Sequence, residues 1–434
     1  MMFALPATFH WRLISKEPEC PVSEVRDDLE ADVVVVGGGL TGLAAALRFA
    51  KTGEKVVVLD AGRIGQGASG RNNGQVIPHH SRNSPMEIER IFGSHRGGIF
   101  NRMVGRAAQH VADIIREHAI DCDFVQRGWV QAAHAPSVVP RLRTFYGQWN
   151  QLGYDVDWLE RDAMSACIGS TSFYGGWRAK SGGYLNPYAF CQGMARAAVQ
   201  AGAHIYQDSA VTDIRREGGR WQLACPGGKV TARQVLITAN IPQSSFWPGI
   251  RKVSVPLHVY QVSTGPLDEN WQARVLPGRE GVSDTSRIIR AFRYDSTGGL
   301  AMVGLHTLWH DAANRGLRDV AARLREIFPG LPLSVADRYW EGIFAVVPDR
   351  FPRMMALGPG LHFSGIYSGR GVALSVQWGA MTADLMLGKT AERDLPVPMT
   401  GLRTVPFHAM GVQYGRYMHP LHAVQDRIDA MKKS

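Results

Sequence analysis

Cysteine is scarce in this chain: five in 434 residues, an odd number, scattered and without a C-x-x-C pair. That excludes a disulfide frame or a thiolate zinc site as an organising device, and it fits a reducing compartment. No stretch reaches the ~18 consecutive apolar residues of a membrane span. The first residues lack a basic start followed by an apolar block, so no secretory leader is expected and a cytoplasmic location is. No run of five basic residues exists despite a net charge of +10. The excess therefore reads as a solvated basic surface, or one that draws in anions, rather than a nucleic-acid footprint. Internal repeats and low-complexity tracts are absent as well. What remains, 45% apolar and 20% charged, suits a globular chain long enough for two domains.

What is present begins at Ala31. Val33 to Val36 form a continuous β-branched run, as in a strand buried on both faces of a parallel sheet. Gly37-Gly38-Gly39-Leu40-Thr41-Gly42 follows and matches G-x-G-x-x-G, and Leu40 to Ala50 then read as a helix. Val56 to Leu59 form a second buried strand that ends at Asp60, 18 residues after Gly42. Gly37 permits the tight turn, Gly39 lets backbone approach a pyrophosphate, and Gly42 lets the helix pack close to the strand. The helix N-terminus offers free N–H groups to phosphate, and Asp60 can accept hydrogen bonds from both ribose hydroxyls. With strand, helix and acid all in place the motif is specific for a dinucleotide. It does not by itself separate a nicotinamide from a flavin. The next segment, "AGRIGQGASGRNNGQ", favours the flavin, because a second glycine-rich polar loop replaces the expected next βαβ unit. Its amides, Ser69, Arg71, Asn72 and Asn73 can hydrogen-bond a flat polar ring system and its phosphates.

These residues resemble the FAD-dependent amine oxidoreductases of the D-amino-acid oxidase type, nearest the gamma-glutamylputrescine oxidoreductase branch. The motifs "VVVVGGGLTGLAAAL", "VLDAGRIGQGASGRNNGQV", "GGYLNPYAFCQGMARAAVQAGA", "YWEGIFAVVPDRFPRM" and "FSGIYSGRGVALSVQWGAMTADLMLG" carry the resemblance from about Ala31 to His408. Asn73 departs from a glycine common among relatives. The resemblance implies FAD as cofactor, with contacts at Gly37, Gly39, Leu40, Thr41, Gly42, Asp60, Ala61, Gly67, Ala68, Ser69, Arg71, Asn72, Asn73, Gly74 and Gln75. It adds Val211, Ala239 and Asn240 near the adenine side and strand end, then Gly342, and Gly369, Arg370, Gly371 and Val372 by the flavin's pyrimidine edge. Met302 falls where sarcosine oxidases carry an oxygen-activating lysine, which puts fast reaction with oxygen in doubt.

The fold expected is α/β: a Rossmann-like FAD-binding domain with a substrate domain on a large, mostly antiparallel sheet. The division expected is 30–86, 186–248 and 340–392 for the first, 87–185 and 249–339 for the second, and 393–434 for a C-terminal wrap and helix. Because the cofactor carries the chemistry, no nucleophile is needed. A neutral amine can give a hydride from its α-carbon to flavin N5, and water then hydrolyses the imine. Arg370, Tyr367 and His306 are the candidates beside the reacting atoms, and Tyr260, Arg290, Arg293 and Trp340 for substrate. Arg290, Arg293 and Arg370 point to a substrate with a carboxylate. His79 and His80 either face the ring or form a surface turn. His306 and His310 lack the glutamate of a zinc helix, so no metal is expected. Oxygen, a quinone or a carrier protein are all open as electron acceptor. A basic nucleic-acid-binding protein that kept a dinucleotide fold is the competing class, and it would be colourless.

Overall fold

The computed structural model describes residues 6–239, 246–305, 312–332 and 338–431. Two eight-stranded sheets organise them. In the first, five parallel strands lie in the order His204–Tyr206, Val56–Leu59, Leu29–Val36, Gly228–Ile237, Leu361–Gly365. Arg353–Gly358 closes the edge antiparallel, and the hairpin Asp213–Glu217 and Arg220–Cys225 extends from Gly228–Ile237. The valine run is explained by burial on both faces. Val33, Val35, Val56 and Val58 pack under the helices Leu40–Ala50, Pro187–Gln200 and Gly371–Met386. Val34, Val36, Val57 and Leu59 pack under the hairpin side. Helices Leu40–Ala50 and Gly371–Met386 approach so closely that a Cβ at Gly379 would lie 2.2 Å from the Thr41 carbonyl oxygen.

The second sheet runs Arg338–Val346, Val255–Ser263, Leu300–Leu305, Ala291–Tyr294, Gly281–Asp284, Trp129–Ala132, Gly176–Ala179, Val156–Leu159. Every neighbour is antiparallel except Gly281–Asp284 with Trp129–Ala132. The α/β fold with a largely antiparallel second sheet is therefore the one expected. One boundary needs correction: a cut between 339 and 340 divides the strand Arg338–Val346, which pairs along its whole length with Val255–Ser263. Cross-strand hydrogen bonding, not the nearby glycine motif, decides its sheet.

Alternation along these strands sorts their side chains into two sets. Tyr260, Val262, Phe292, Tyr294 and Met302 share a core with Val320 and Leu324 of the helix Ala312–Ile327. Gln261 and Arg293 point the other way, toward the glycine-rich loop at residues 67–75. Met302 is thus fully buried in the core on the far side.

Candidate functional site

The fingerprint turn is built by close approach. Gly37 sits at φ 112°, and a Cβ there would lie 2.8 Å from the Ala239 nitrogen. At Gly42 a Cβ would lie 2.0 Å from the Gly37 carbonyl oxygen. Gly39 caps the helix Leu40–Ala50 without a side-chain partner, which leaves its first amides open to an anion. The Ser69 hydroxyl takes one of them, accepting from Leu40 N at 3.1 Å. Asp60 accepts from Gly38 N at 2.6 Å and Gly62 N at 2.9 Å. Burial pushes its carboxyl upward, and those two amides oppose the shift. Ser209 N donates to the Asp60 carbonyl, which brings the chain leading to Val211 alongside Asp60 and Ala61. Asn240 and His306 lie outside the described residues.

The second glycine-rich loop is held by its own polar groups. Gly67 caps a short helix, Ala68–Arg71. The Asn72 amide donates to the carbonyls of Ala68 (3.1 Å) and Ser69 (2.6 Å), and its oxygen accepts from Gly74 N at 2.7 Å. Asn73 donates to Gln261 Oε1 at 3.1 Å, and its own Oδ1 is buried with no partner. Several side chains expected at the cofactor are engaged by protein here. The Arg71 guanidinium, 1% exposed, donates to the carbonyls of Gln66, Glu341 and Pro6 and stacks on Phe9, so it braces the loop from behind. The Gln75 amide spends both ends on protein, donating to Val282 O and accepting from Trp129 and Ser283. Gly74, at φ 75°, is demanded by the Leu185 carbonyl, 2.0 Å from where a Cβ would lie.

The substrate candidates fare likewise. Arg293 donates to the carbonyls of Asn73, Tyr294 and Leu185 and lies over Trp11, which makes it a buried structural cation. Arg290 pairs with Asp284 at 2.6 Å. Tyr260 stacks on Tyr339 and donates to Asp319, facing the core side of its sheet. Trp340 is 3% exposed and donates to Arg71 O at 2.9 Å, edge-on to Trp11. A Cβ at Gly342 would make ordinary contact with the side chains of Arg71 (3.7 Å) and Val259 (3.8 Å), so close packing does not demand glycine there.

The last loop differs. Ile366 (φ 65°), Ser368 (φ 48°) and Gly369 (φ 96°) all adopt left-handed conformations, strained for a β-branched residue, before the helix Gly371–Met386 begins. Arg370 is its N-cap residue and supplies no side-chain cap, and Val372 is buried in the first turn. Tyr367 bonds the Thr41 hydroxyl at 2.8 Å, joining this loop to the fingerprint helix. Its phenol is pushed up by burial.

Arg370, Tyr367, His79, His80, Arg350, Ile77 and Phe100 line one small cavity. The Arg370 Nε is buried without a partner, and its guanidinium lies 5.6 Å from the Trp129 ring centroid. Burial, then the charge of Arg350, lowers Arg370 to about 10. His79 and His80 are both buried, so neither forms a surface turn. His79 Nδ1 meets the His80 carbonyl, which can only accept, so Nδ1 holds the proton and Nε2 keeps its lone pair. That Nε2 is buried with no partner. Burial first, then Arg370, holds His79 well below the ordinary imidazole range. Arg350 and the N-terminal brace around Trp11 went unnoticed in the sequence; the quoted motif "VVPDRFPRM" contains Arg350 but not its orientation. Elsewhere, ligand atoms of His134, Asp426 and Asp429 come within 4.8 Å of one another, but Arg287 already pairs with both carboxylates.

The glycine cradles, the uncapped helix N-termini and the orphan Asn73 Oδ1 fit an extended anionic cofactor with a flat polar ring. Comparison with known proteins agrees. The model of the FAD dependent oxidoreductase family matches residues 32–385. The chain is similar to the gamma-glutamylputrescine oxidoreductase of Escherichia coli (strain K12), 30% identical over 94% of this chain and 96% of that one. It is also similar to a probable oxidoreductase OrdL of Rhizobium meliloti (strain 1021), 31% identical over 87% of this chain and 88% of that one. Among solved structures, glycine oxidase from Geobacillus kaustophilus superposes with a TM-score of 0.70 at 20% identity, over 84% of this chain and 96% of that one.

Proposed function

We propose that this chain, which belongs to the FAD dependent oxidoreductase family, oxidises an amine or amino acid whose carboxylate is held by Arg370. The observation that carries the reading is the buried, unpartnered Arg370 Nε in a cavity shared with His79 and Tyr367. A guanidinium taken out of water without a counter-charge is costly, and a carboxylate supplies the bidentate partner it lacks.

The residues for the cofactor follow from the same elements. Gly37, Gly39, Leu40, Thr41 and Gly42 would take the pyrophosphate, with Ser69 beside them, and Asp60 the ribose. Ala61, Val211 and Ala239 would flank the adenosine. The backbone at Gly67, Ala68, Asn72, Asn73 and Gly74 would border the flavin, and Gly369, Gly371 and Val372 its pyrimidine end. Bound there, FAD supplies the two-electron oxidation of the C–N bond to an imine. His79 Nε2, a neutral acceptor, takes an N–H of the substrate amine and orients it. The Arg370 charge disfavours a protonated ammonium nearby and so favours the neutral amine, the form able to give up hydride. Tyr367 holds the last loop to the fingerprint helix, fixing Arg370 relative to both.

The test is anaerobic bleaching of the purified, yellow protein by an amine and by its carboxylated analogue, in the parent and in Arg370→Met. The carboxylate should raise the reduction efficiency at least tenfold in the parent and lose that advantage in the variant. No advantage in the parent would sink the reading. Reoxidation of the bleached protein by air, a quinone or a carrier then identifies the acceptor.

A further inference from the structure

The cavity holds a second cation that one carboxylate leaves unused. Arg350 stands in the turn between the strands Arg338–Val346 and Arg353–Gly358, at φ 60°, with its amide donating to Val347 O at 3.0 Å. This left-handed backbone is an uncommon setting for a long side chain, and it delivers the guanidinium into the same cavity as Arg370. The two arrive from different elements, one from the turn that links the two sheets and one from a helix N-terminus.

Among the described residues neither has an acid to pair with. Asp349, the adjacent carboxylate, is taken by Arg353 at 2.9 Å. Asp426 and Asp429 are taken by Arg287. Among the described residues, no carboxylate oxygen forms an ion pair with Arg350 or Arg370, and neither guanidinium donates a hydrogen bond. Burial lowers Arg350 to about 10, and the nearby charge of Arg82 acts in the same direction. The rest of the wall offers no anion. Ile77, Phe100 and Leu374 are apolar, Tyr367 is bonded to Thr41, and His79 is neutral. Protein interiors seldom leave two like charges facing one space without compensation.

We infer that the substrate is an amine bearing two carboxylates, one for Arg350 and one for Arg370, with its nitrogen toward His79 Nε2. The inference rests on the reading that Arg370 holds a carboxylate. It adds a second anionic position at Arg350. The chemical class is an amino dicarboxylate: an acidic amino acid, or an amine that joins two carboxylate-bearing arms.

The experiment uses the FAD-loaded enzyme and probes that cannot be oxidised: butyramide, butyrate, glutarate and glutarate monomethyl ester. Binding is read by calorimetry and by perturbation of the flavin spectrum. Glutarate should bind at least tenfold more tightly than butyrate or the monomethyl ester. In Arg350→Gln that ratio should fall below threefold. Equal affinity of glutarate and its monomethyl ester in the parent, which needs no variant to fold, overturns the inference. So does a ratio unchanged in Arg350→Gln. The underlying reading fails separately, when butyrate binds no better than butyramide.

Discussion

The hydroxyl of Tyr367 lies 2.8 Å from the hydroxyl of Thr41, so one hydrogen bond joins the loop before the last helix to the first turn of the fingerprint helix. The two residues are far apart in sequence, and no other side-chain bond in the described residues spans the same two turns. Tyr367→Phe removes this tie while keeping the ring against Trp378. The expected loss is about 1 kcal/mol. It is checked by the urea midpoint of the variant and by FAD retained after dialysis. An unshifted midpoint with full retention means the tie contributes nothing.

Gly74→Ala tests a different source of constraint. The added Cβ would meet the Leu185 carbonyl in a left-handed backbone. The short pairing of Gln75 and Val76 with Tyr184 and Gly183 is expected to open, at a cost of at least about 2 kcal/mol. The apoprotein should lose this stability too. A loss seen only in the FAD-loaded form would mean that the bound cofactor, not the Leu185 carbonyl, sets the requirement for glycine.

His80 makes stability depend on pH. Burial lowers its imidazole to about 4 from 6.5, opposed by the hydrogen bond to Asn101. The unfolded chain therefore binds the proton first as pH falls, so the stability present above 6.5 is lost progressively between 6.5 and 4. By pH 5 the loss from this one group is about 2 kcal/mol. Denaturation curves at pH 7 and pH 5 for the parent and His80→Gln should differ by that amount in their pH dependence. Parallel behaviour of the two proteins would show that His80 titrates normally.

Arg290 and Arg293 are expected to separate structure from specificity. Arg290→Gln leaves a carboxylate-bearing substrate's kcat/KM within about twofold, because Arg290 belongs to Asp284. Arg293→Met strands three buried carbonyls and should cost more than about 3 kcal/mol, read as a fall in the denaturation midpoint. A tenfold rise in KM with Arg290→Gln would put it back in the pocket.

The sequence by itself determined the fingerprint and its sheet. Gly37, Gly39, Gly42 and Asp60 could be read because their spacing is local. A turn, a helix start and the next strand end are fixed by a few tens of residues, and the two-sided burial of the valine run is visible as composition. Period-two alternation likewise announced the second sheet. Alternation does not say which set faces the ligand: in the fold Tyr260 lies on the core side of its sheet, and Arg293 and Trp340 donate to backbone carbonyls. Whether an arginine is structural or free depends on what fills its donors. For Arg71, Arg290 and Arg293 those partners are carbonyls or a carboxylate supplied by the tertiary fold, some more than a hundred residues away. For Arg350 and Arg370 it is the lack of such partners among the described residues, in a cavity assembled from the turn between the two sheets, a helix N-terminus and the segment after the glycine-rich loop, that carries the proposed site. Local spacing encodes local backbone geometry; charge left uncompensated by the surrounding protein exists only once distant segments have been brought together.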